Sequence, residues 1–467
     1  MLMKIKLAKS ELIHFVGIGG IGMSGLAIIM KELGFKVQGS DISTNKNIDR
    51  VKQKNIKIYI GHKKQNINKS TILVISSAIK KNNPEVLFAK KKKIPIYTRG
   101  EMLANVVSLM KNVVVAGSHG KTTTTSLISN IFSHAKIDPT VINGGVLNSF
   151  SGSARLGKSD WCILESDESD GSFTKIPPTY SIVTNIDKEH LDYYKSLEIL
   201  KKNFVKFIEK IPSFGKVFIC LDDKINKQVI KKIRNLNYST YGTNKLSNFK
   251  ILNISQNENY SKFNIKISLP GSKEKLIKNI KVPLIGLHNI RNSTAAAAVA
   301  FSIGIPIKII KNGLEKFSGV QRRFTKIFSF QNVPFFDDYA HHPTEITEVL
   351  DGVREVYKNK EIICIFQPHR ISRLKNLHEE FSKSFKKADT VILCPIFKAG
   401  ENIKLPFSYN YFAKKIIKKS NVKLILINNN LDLVKYVKQN VYGNKIVIGM
   451  GAGSISNWIR DLPNYIK

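Results

Sequence analysis

Gly117-Ser118-His119-Gly120-Lys121-Thr122-Thr123 sets two glycines, a lysine and three hydroxyls between a strand-like run, NVVVA, and a helical stretch, TTTTSLISNIF. Backbone N–H groups of such a loop cradle phosphates, while Lys121 reaches the β/γ oxygens and the Thr122 hydroxyl is suited to ligating Mg²⁺. Only Ser118 and His119 separate the glycines, so the loop is shorter than the common G-x-x-x-x-G-K-[ST] form. A nucleoside triphosphate also needs a divalent cation held by hard ligands. Two downstream strand ends offer them: WCIL delivers Glu165, Asp167, Glu168 and Asp170, and YSIVTNID delivers Asp187, Glu189 and His190. Alone, ESDESD would read as a solvated acidic loop. In a chain with 74 Lys+Arg against 35 Asp+Glu, that many carboxylates beside a phosphate loop read better as metal ligands.

A second glycine-rich turn, Gly17-Ile18-Gly19-Gly20-Ile21-Gly22, follows strand LIHFV and opens the helix MSGLAIIMKELG, closed by Gly34. Here glycines let the backbone approach a diphosphate, and the helix N-terminus supplies free N–H groups. Asp41 sits where dinucleotide folds place a ribose-binding acid, and Ser76-Ser77 follow strand TILVI at a carboxyl end of the same sheet. By itself this turn suits a nicotinamide or flavin enzyme as well as a nucleotide-sugar binder. Further on, GLHNIRN precedes an alanine-rich helix; its amides are able either to read an adenine edge or, through Asn289, to cap the helix.

The elements that must position these residues alternate apolar strand runs with helical patterns, which predicts an α/β fold with largely parallel sheets. Three segments are expected: 1–108, 109–320 and 321–467. Between 223 and 283 short alternating runs such as FNIKISL predict antiparallel strands or a hairpin without chemistry.

The net charge of +39 raises nucleic-acid binding, but the excess is nearly all Lys, scattered over the whole length, whereas a binding stripe is localised and interleaved with Arg and aromatic residues. No nucleic-acid partner is therefore expected. Nothing approaches the roughly 20 apolar residues of a membrane span, and no secretory leader is read at the start. Cys162, Cys220, Cys364 and Cys394 lie far apart with no C-x-x-C pair, as in reduced cytoplasmic proteins. The expectation is a cytoplasmic protein with no stable membrane association, as a monomer or homodimer.

HFVGIGGIGMSGLA at 14–27, GSHGKTTTT at 117–125, ESDESDGSF at 165–173, TNIDKEHLDYY at 185–194, GLHNIRN at 286–292, GVQRRF at 319–324, DDYAHHPTEI at 337–346 and QPHRISR at 367–373 together resemble the Mur ligases. The resemblance spans nearly the whole chain. It is strongest to the branch that joins L-alanine to the carboxylate of UDP-N-acetylmuramate. It implies three domains: an N-terminal Rossmann-like UDP-sugar domain, a central P-loop ATPase-like domain and a C-terminal Rossmann-like amino-acid domain.

Residue by residue, the resemblance implies ATP binding by Gly117, Ser118, His119, Gly120, Lys121, Thr122, Thr123, His288, Asn289 and Asn292, with Arg322 or Arg323 and Asp337 or Asp338 from the last domain. It implies Mg²⁺, or Mn²⁺ in its place, on Thr122, Glu165 and His190. The UDP-sugar would meet Gly17, Gly19, Gly20, Gly22, Ser24, Asp41, Ser76 and Ser77, and the amino acid Tyr339, His341, Arg370 and Arg373. Lys121 and His341 would be catalytic, His341 as the acceptor of the amine proton. Ser118 stands where the family commonly has Thr, and Ser454 replaces a more usual Asp. Ala340 replaces a frequent Gly; a DDxAHHP pattern also occurs in the related ligase that adds a murein peptide to UDP-N-acetylmuramate, which is the alternative activity. More distant alternatives are an NAD-dependent dehydrogenase, which leaves the Lys121 loop unexplained, and a basic nucleic-acid-binding ATPase, which leaves ESDESD unexplained.

Overall fold

A computed structural model describes residues 11–147, 152–234 and 237–466, so the amino-terminal run read for a leader lies outside the described residues. Three sheets carry the chain. The first is five-stranded and all parallel, in the order Lys57–Ile60, Lys36–Asp41, Leu12–Val16, Ile72–Ile75, Ile96–Thr98. Leu12–Val16 is central, and its neighbours on either side run in the same direction, so the turn after Val16 opens at the carboxyl edge where such sheets bind ligands.

The second sheet has ten strands. Lys111–Ala116 lies between Tyr180–Val183 and Trp161–Glu165, all parallel, which brings the ends of these three strands to one edge. KNVVVA buries every residue after Lys111, as a strand covered on both faces must. At the far side, Phe249–Gln256, Ser261–Ile267 and Lys275–Val282 are successive neighbours joined by short connections, the antiparallel arrangement such connections impose.

The third sheet has six strands: Thr325–Phe330 antiparallel to Val333–Asp338, then Lys445–Met450, Glu361–Phe366, Thr390–Leu393 and Lys423–Leu426 in parallel. Strand residues divide between its faces with the two-residue period. Ile362, Cys364 and Phe366 enter one core with Ile446 and Ile448, while Ile363, Ile365 and Val447 enter the other.

Two compact units result, one made of 1–254, 263–282 and 291–318, the other of 255–262, 283–290 and 319–467. Cys162, Cys220, Cys364 and Cys394 are all buried and unbonded, and burial pushes the Cys162 and Cys220 thiols up to about 12, away from reactivity. Among the described residues no helix is long and apolar enough to cross a membrane.

The helix Lys121–His134 begins with four threonines, a poor helix-forming run, and buries all of Thr122 to Ser129. Three of their hydroxyls are satisfied by bonding back one turn: Thr124 to the Gly120 carbonyl at 2.9 Å, Ser126 to Thr122 at 2.6 Å and Ser129 to Thr125 at 2.8 Å, while the Thr125 hydroxyl is buried without a partner. The helix Ile307–Glu315 packs on this one through Gly313, where a Cβ would come within 2.7 Å of the Ile131 Cα.

Candidate active site

The first-sheet turn is held from several sides. Gly17 (φ +80°) and Ile18 donate their N–H groups to the Ser40 carbonyl at 2.8 and 3.0 Å, and Gly19 N donates to Asp41 Oδ2 at 2.8 Å. Asn47 Nδ2 donates to the Gly19 carbonyl at 2.9 Å. A Cβ on Gly19 would fall 2.9 Å from Asp41 Oδ2, so the close approach requires glycine. Gly20 precedes the helix Ile21–Glu32, whose first turn includes Gly22 and the buried Ser24; Ser24 Oγ donates to the Ile21 carbonyl at 3.0 Å. The structure brings Ser76 beside Gly17, 3.2 Å from where its Cβ would be, while Ser77 is exposed.

Behind the turn lies a polar cluster that sequence reasoning passed over. Glu85 has no exposed surface, accepts from Ser40 Oγ at 2.6 Å and Asn66 Nδ2 at 2.6 Å, and lies 3.1 Å from His62 Nδ1 and 3.6 Å from His14 Nε2. Burial opposes its charge, but His14, Ser40 and Asn66 outweigh it and hold the carboxyl below its ordinary range.

The Gly117–Thr123 loop is shaped by the next strand end. Ser118 N donates to the Asn185 carbonyl at 2.9 Å, His119 N to Asn185 Oδ1 at 2.8 Å, and Thr184 Oγ1 to the His119 carbonyl at 2.7 Å. His119 Nε2 is 3.1 Å from Asp187 Oδ2. Gly117 (φ +129°) has no room for a side chain, since a Cβ would lie 2.1 Å from Thr184 Oγ1. Asn292 packs its amide on Gly120 (φ +82°), 2.7 Å from a Cβ there. Lys121 Nζ donates to the carbonyls of Gly117 at 2.5 Å and Ser118 at 3.0 Å and to Glu168 Oε2 at 2.8 Å. Burial disfavours its charge, but Glu168, Asp167 and Glu165 prevail and keep Lys121 cationic well above its usual range.

The acids divide their contacts. Thr122 Oγ1 donates to Glu165 Oε2 at 2.8 Å, which also accepts from Gly144 N at 2.9 Å. His190 groups instead with Asp167 and Glu168, their ligand atoms lying within 4.8 Å of one another. Glu168 Oε1 is buried without a hydrogen-bond partner, and burial pushes this carboxyl above its ordinary range. Hard carboxylate oxygens, an imidazole and an orphaned buried oxygen suit a divalent cation of the Mg²⁺ class. Thr123 is buried in the helix behind the loop.

In the other unit, the His288 ring folds back on Gly286 (φ +91°), and Asn289 lies inside the first turn of Leu287–Ser302, donating to the Ile285 carbonyl at 2.8 Å. Asp337 and Asp338 are both buried. Asp338 accepts from Phe324 N and Ala340 N, each at 2.7 Å, while Asp337 accepts from Ser456 Oγ at 2.5 Å and Arg460 at 3.2 Å. Arg322 (φ +60°) donates to the Gly451 carbonyl at 2.6 Å. The Arg322 and Arg323 guanidinium carbons lie 4.8 and 5.3 Å from the centre of the Tyr339 ring. His341 packs edge-on against Tyr339 at 5.0 Å and against His369 at 5.8 Å. His369, a second residue the sequence reading missed, stacks on Phe397 and sits 3.3 Å from Arg373 Nη1 through its Nδ1. Burial, with His341, Arg373 and Arg370 beside it, lowers its pKa to about 4. Arg370 precedes the helix Ile371–Lys383 with a positive φ (+68°, ψ 133°), and its N–H donates to the Phe397 carbonyl at 2.9 Å. Such a sparsely populated backbone costs a non-glycine residue about 1 to 3 kcal/mol.

The arrangement offers a loop for a triphosphate with acids suited to a cation, a separate turn for a diphosphate, and a basic, two-imidazole cluster suited to a small zwitterion. Residues 12–110, 115–300 and 322–453 match in turn the families described as "Mur ligase family, catalytic domain", "Mur ligase middle domain" and "Mur ligase, glutamate ligase domain". The chain is 65% identical over 464 residues to the UDP-N-acetylmuramate–L-alanine ligase of Pelagibacter ubique, covering 99% of this chain and 100% of that one. It is 41% identical over 453 residues to the protein of the same name from Bartonella bacilliformis, covering 97% and 95%. A solved UDP-N-acetylmuramate-alanine ligase from Thermotoga maritima is similar at a TM-score of 0.80 and 27% identity, covering 97% of this chain and 98% of that one. With the Gly17–Gly22 turn, the Gly117–Thr123 loop and the Tyr339 cluster each inside a successive family match, the chain belongs to the Mur ligase family, whose members use ATP.

Proposed function

We propose that this chain joins L-alanine to the carboxylate of UDP-N-acetylmuramate with conversion of ATP to ADP and phosphate, as a cytoplasmic step of peptidoglycan precursor synthesis. The observation that carries this reading is the 65% identity, across 99% of the chain, to a protein named for that activity.

A carboxylate does not condense with an ammonium at neutral pH, because its oxygen leaves poorly and the ammonium has no lone pair. The sugar carboxylate oxygen attacks the γ-phosphorus in line, the bond to the β–γ bridging oxygen breaks, and an acyl phosphate and ADP result. Lys121, kept cationic by its carboxylate neighbours, spreads the charge that moves onto the leaving oxygen. Thr122, Glu165 and His190, with Asp167 and Glu168 beside them, would hold Mg²⁺, which supplies further charge neutralisation on the phosphates when bound. Asp41 and the Gly17–Gly22 turn hold the UDP moiety. Arg370 and Arg373 take the alanine carboxylate by forked, charge-assisted hydrogen bonds. His341 accepts the proton that the amine loses as it attacks the acyl carbon.

Purified protein is given ATP, Mg²⁺, UDP-N-acetylmuramate and, in turn, L-alanine, L-serine, glycine or a murein tripeptide. Phosphate release that needs the sugar and is fastest with L-alanine is expected, with ¹⁸O from the labelled carboxylate appearing in the phosphate. Release with the tripeptide alone, release stimulated by DNA, or NADH turnover without release would each overturn the reading.

A further inference from the structure

Glu345, in the first turn of the helix Pro343–Val356, lies four residues from His341 and touches it twice. Its Oε2 accepts from the His341 backbone N–H at 3.0 Å and lies 3.2 Å from the His341 ring Nδ1. The same Nδ1 lies 2.9 Å from the Tyr339 carbonyl oxygen. A carbonyl oxygen only accepts hydrogen bonds, and so does a carboxylate. Nδ1 must therefore carry the ring hydrogen, which leaves the lone pair of neutral His341 on Nε2. Its neighbour is set the opposite way. Arg373 only donates, so His369 Nδ1 is the acceptor and its hydrogen sits on Nε2.

Glu345 is itself well fixed. It closes the capping box of the helix Pro343–Val356, accepting also from His342 N at 3.3 Å, and Arg323 Nη1 lies 3.8 Å from its other oxygen. Its side chain is only 11% exposed, so its charge acts on His341 with little screening by water.

We infer that Glu345 is a positioning residue for the ligation step: it turns His341 so that Nε2 presents its lone pair, and its negative charge stabilises the imidazolium formed when His341 takes the amine proton. This rests on the reading of His341 given above. In the step, the amine lone pair forms the C–N bond and the carbonyl π pair moves onto oxygen. One N–H proton passes to His341 Nε2. The returning oxygen pair then expels phosphate by breaking the bond between the acyl carbon and the bridging oxygen, which leaves with phosphorus, and the imidazolium releases its proton to solvent between turnovers.

The test uses the full chain with Glu345→Gln, His341→Ala and the double variant, with L-alanine or hydroxylamine as the nucleophile. Hydroxylamine is unprotonated near neutrality and attacks acyl phosphates without a base. Glutamine keeps an oxygen for the two capping N–H groups but removes the charge. Glu345→Gln is expected to lower kcat with alanine by about 10-fold or more, against the 10²–10⁴-fold range typical of acid–base catalysis. The alanine KM and the hydroxamate rate should stay unchanged, which also shows that the variant folds. The double variant should be no slower than His341→Ala, as for two residues acting as one unit. Equal losses with both nucleophiles in Glu345→Gln would overturn the proposal. So would a full alanine rate in Glu345→Gln alongside a slow His341→Ala, which leaves the His341 reading standing. A full alanine rate in His341→Ala would overturn that reading itself.

Discussion

Lys121 and Glu168 form an ion pair at 2.8 Å in which the carboxylate has no exposed surface. The ammonium has three donors, and Gly117 O, Ser118 O and Glu168 Oε2 take all of them. A phosphate oxygen that bonds Nζ must therefore replace one of these partners, so the pair links the folding of the loop to its loading.

Removing one member of such a pair leaves a buried charge behind. Lys121→Met should destabilise the protein by about 3 to 5 kcal/mol, the usual result of breaking a buried pair from one side. Adding Glu168→Gln should restore most of the thermal unfolding midpoint but none of the ADP formation. A double variant as unstable as the single would show that packing, and not the orphaned carboxylate, sets the loss. UDP-N-acetylmuramate binding by calorimetry should survive in both, because Gly17–Gly22 belongs to another sheet.

Gly117 is expected to tolerate no side chain. At φ +129°, and with Thr184 Oγ1 2.1 Å from the position of a Cβ, Gly117→Ala must displace the Thr184 hydroxyl that holds the His119 carbonyl. ATP affinity should fall by about 10-fold or more, taking about 1.4 kcal/mol per decade and at least one lost buried hydrogen bond. Equilibrium binding of an ATP analogue reads this directly, and an unchanged Kd would show that the loop adapts.

Asp41 anchors the other turn through Gly19 N and, by its second oxygen, Ile42 N at 2.8 Å. Asp41→Ala should weaken UDP-N-acetylmuramate by about 10-fold, as expected for losing bonds to a charged acceptor of roughly 1.5 kcal/mol, with ATP affinity unchanged. Parallel losses for both ligands would contradict the assignment of two separate sites.

Glu85 makes a pH-dependent contribution. Its folded pKa is lowered below the ordinary value of 4.5, so the stability it confers is fully present above that value and is lost as pH falls through the folded pKa. Near neutral pH the wild type should unfold at a higher temperature than Glu85→Gln, and the two midpoints should converge as the solution is acidified below about 4.5. Midpoints that stay parallel across that range would mean that the carboxylate charge is not what His14, Ser40 and Asn66 stabilise.

What the amino-acid sequence determined by itself was local. Apolar runs ending in glycine, followed by helical periodicity, placed both glycine-rich turns, because the need for positive φ at Gly17, Gly117 and Gly120 and for free N–H groups at a helix start acts over a few residues. The eight motifs carried the family for the same reason. Pairing across the fold lay beyond it. Which acid of 165–170 meets Lys121 and which meets Thr122 follows from how the loop after Trp161–Glu165 folds beside Lys111–Ala116. Asn292 reaches Gly120, and His369 reaches His341, only through packed elements distant in sequence. Even Glu345, four residues from His341 in a visible H-H-P-T-E run, acts on the ring because Pro343 starts a helix and turns that carboxylate back over its own N-terminus. Side-chain partners depend on strand register and burial, and these are settled only when the whole chain packs.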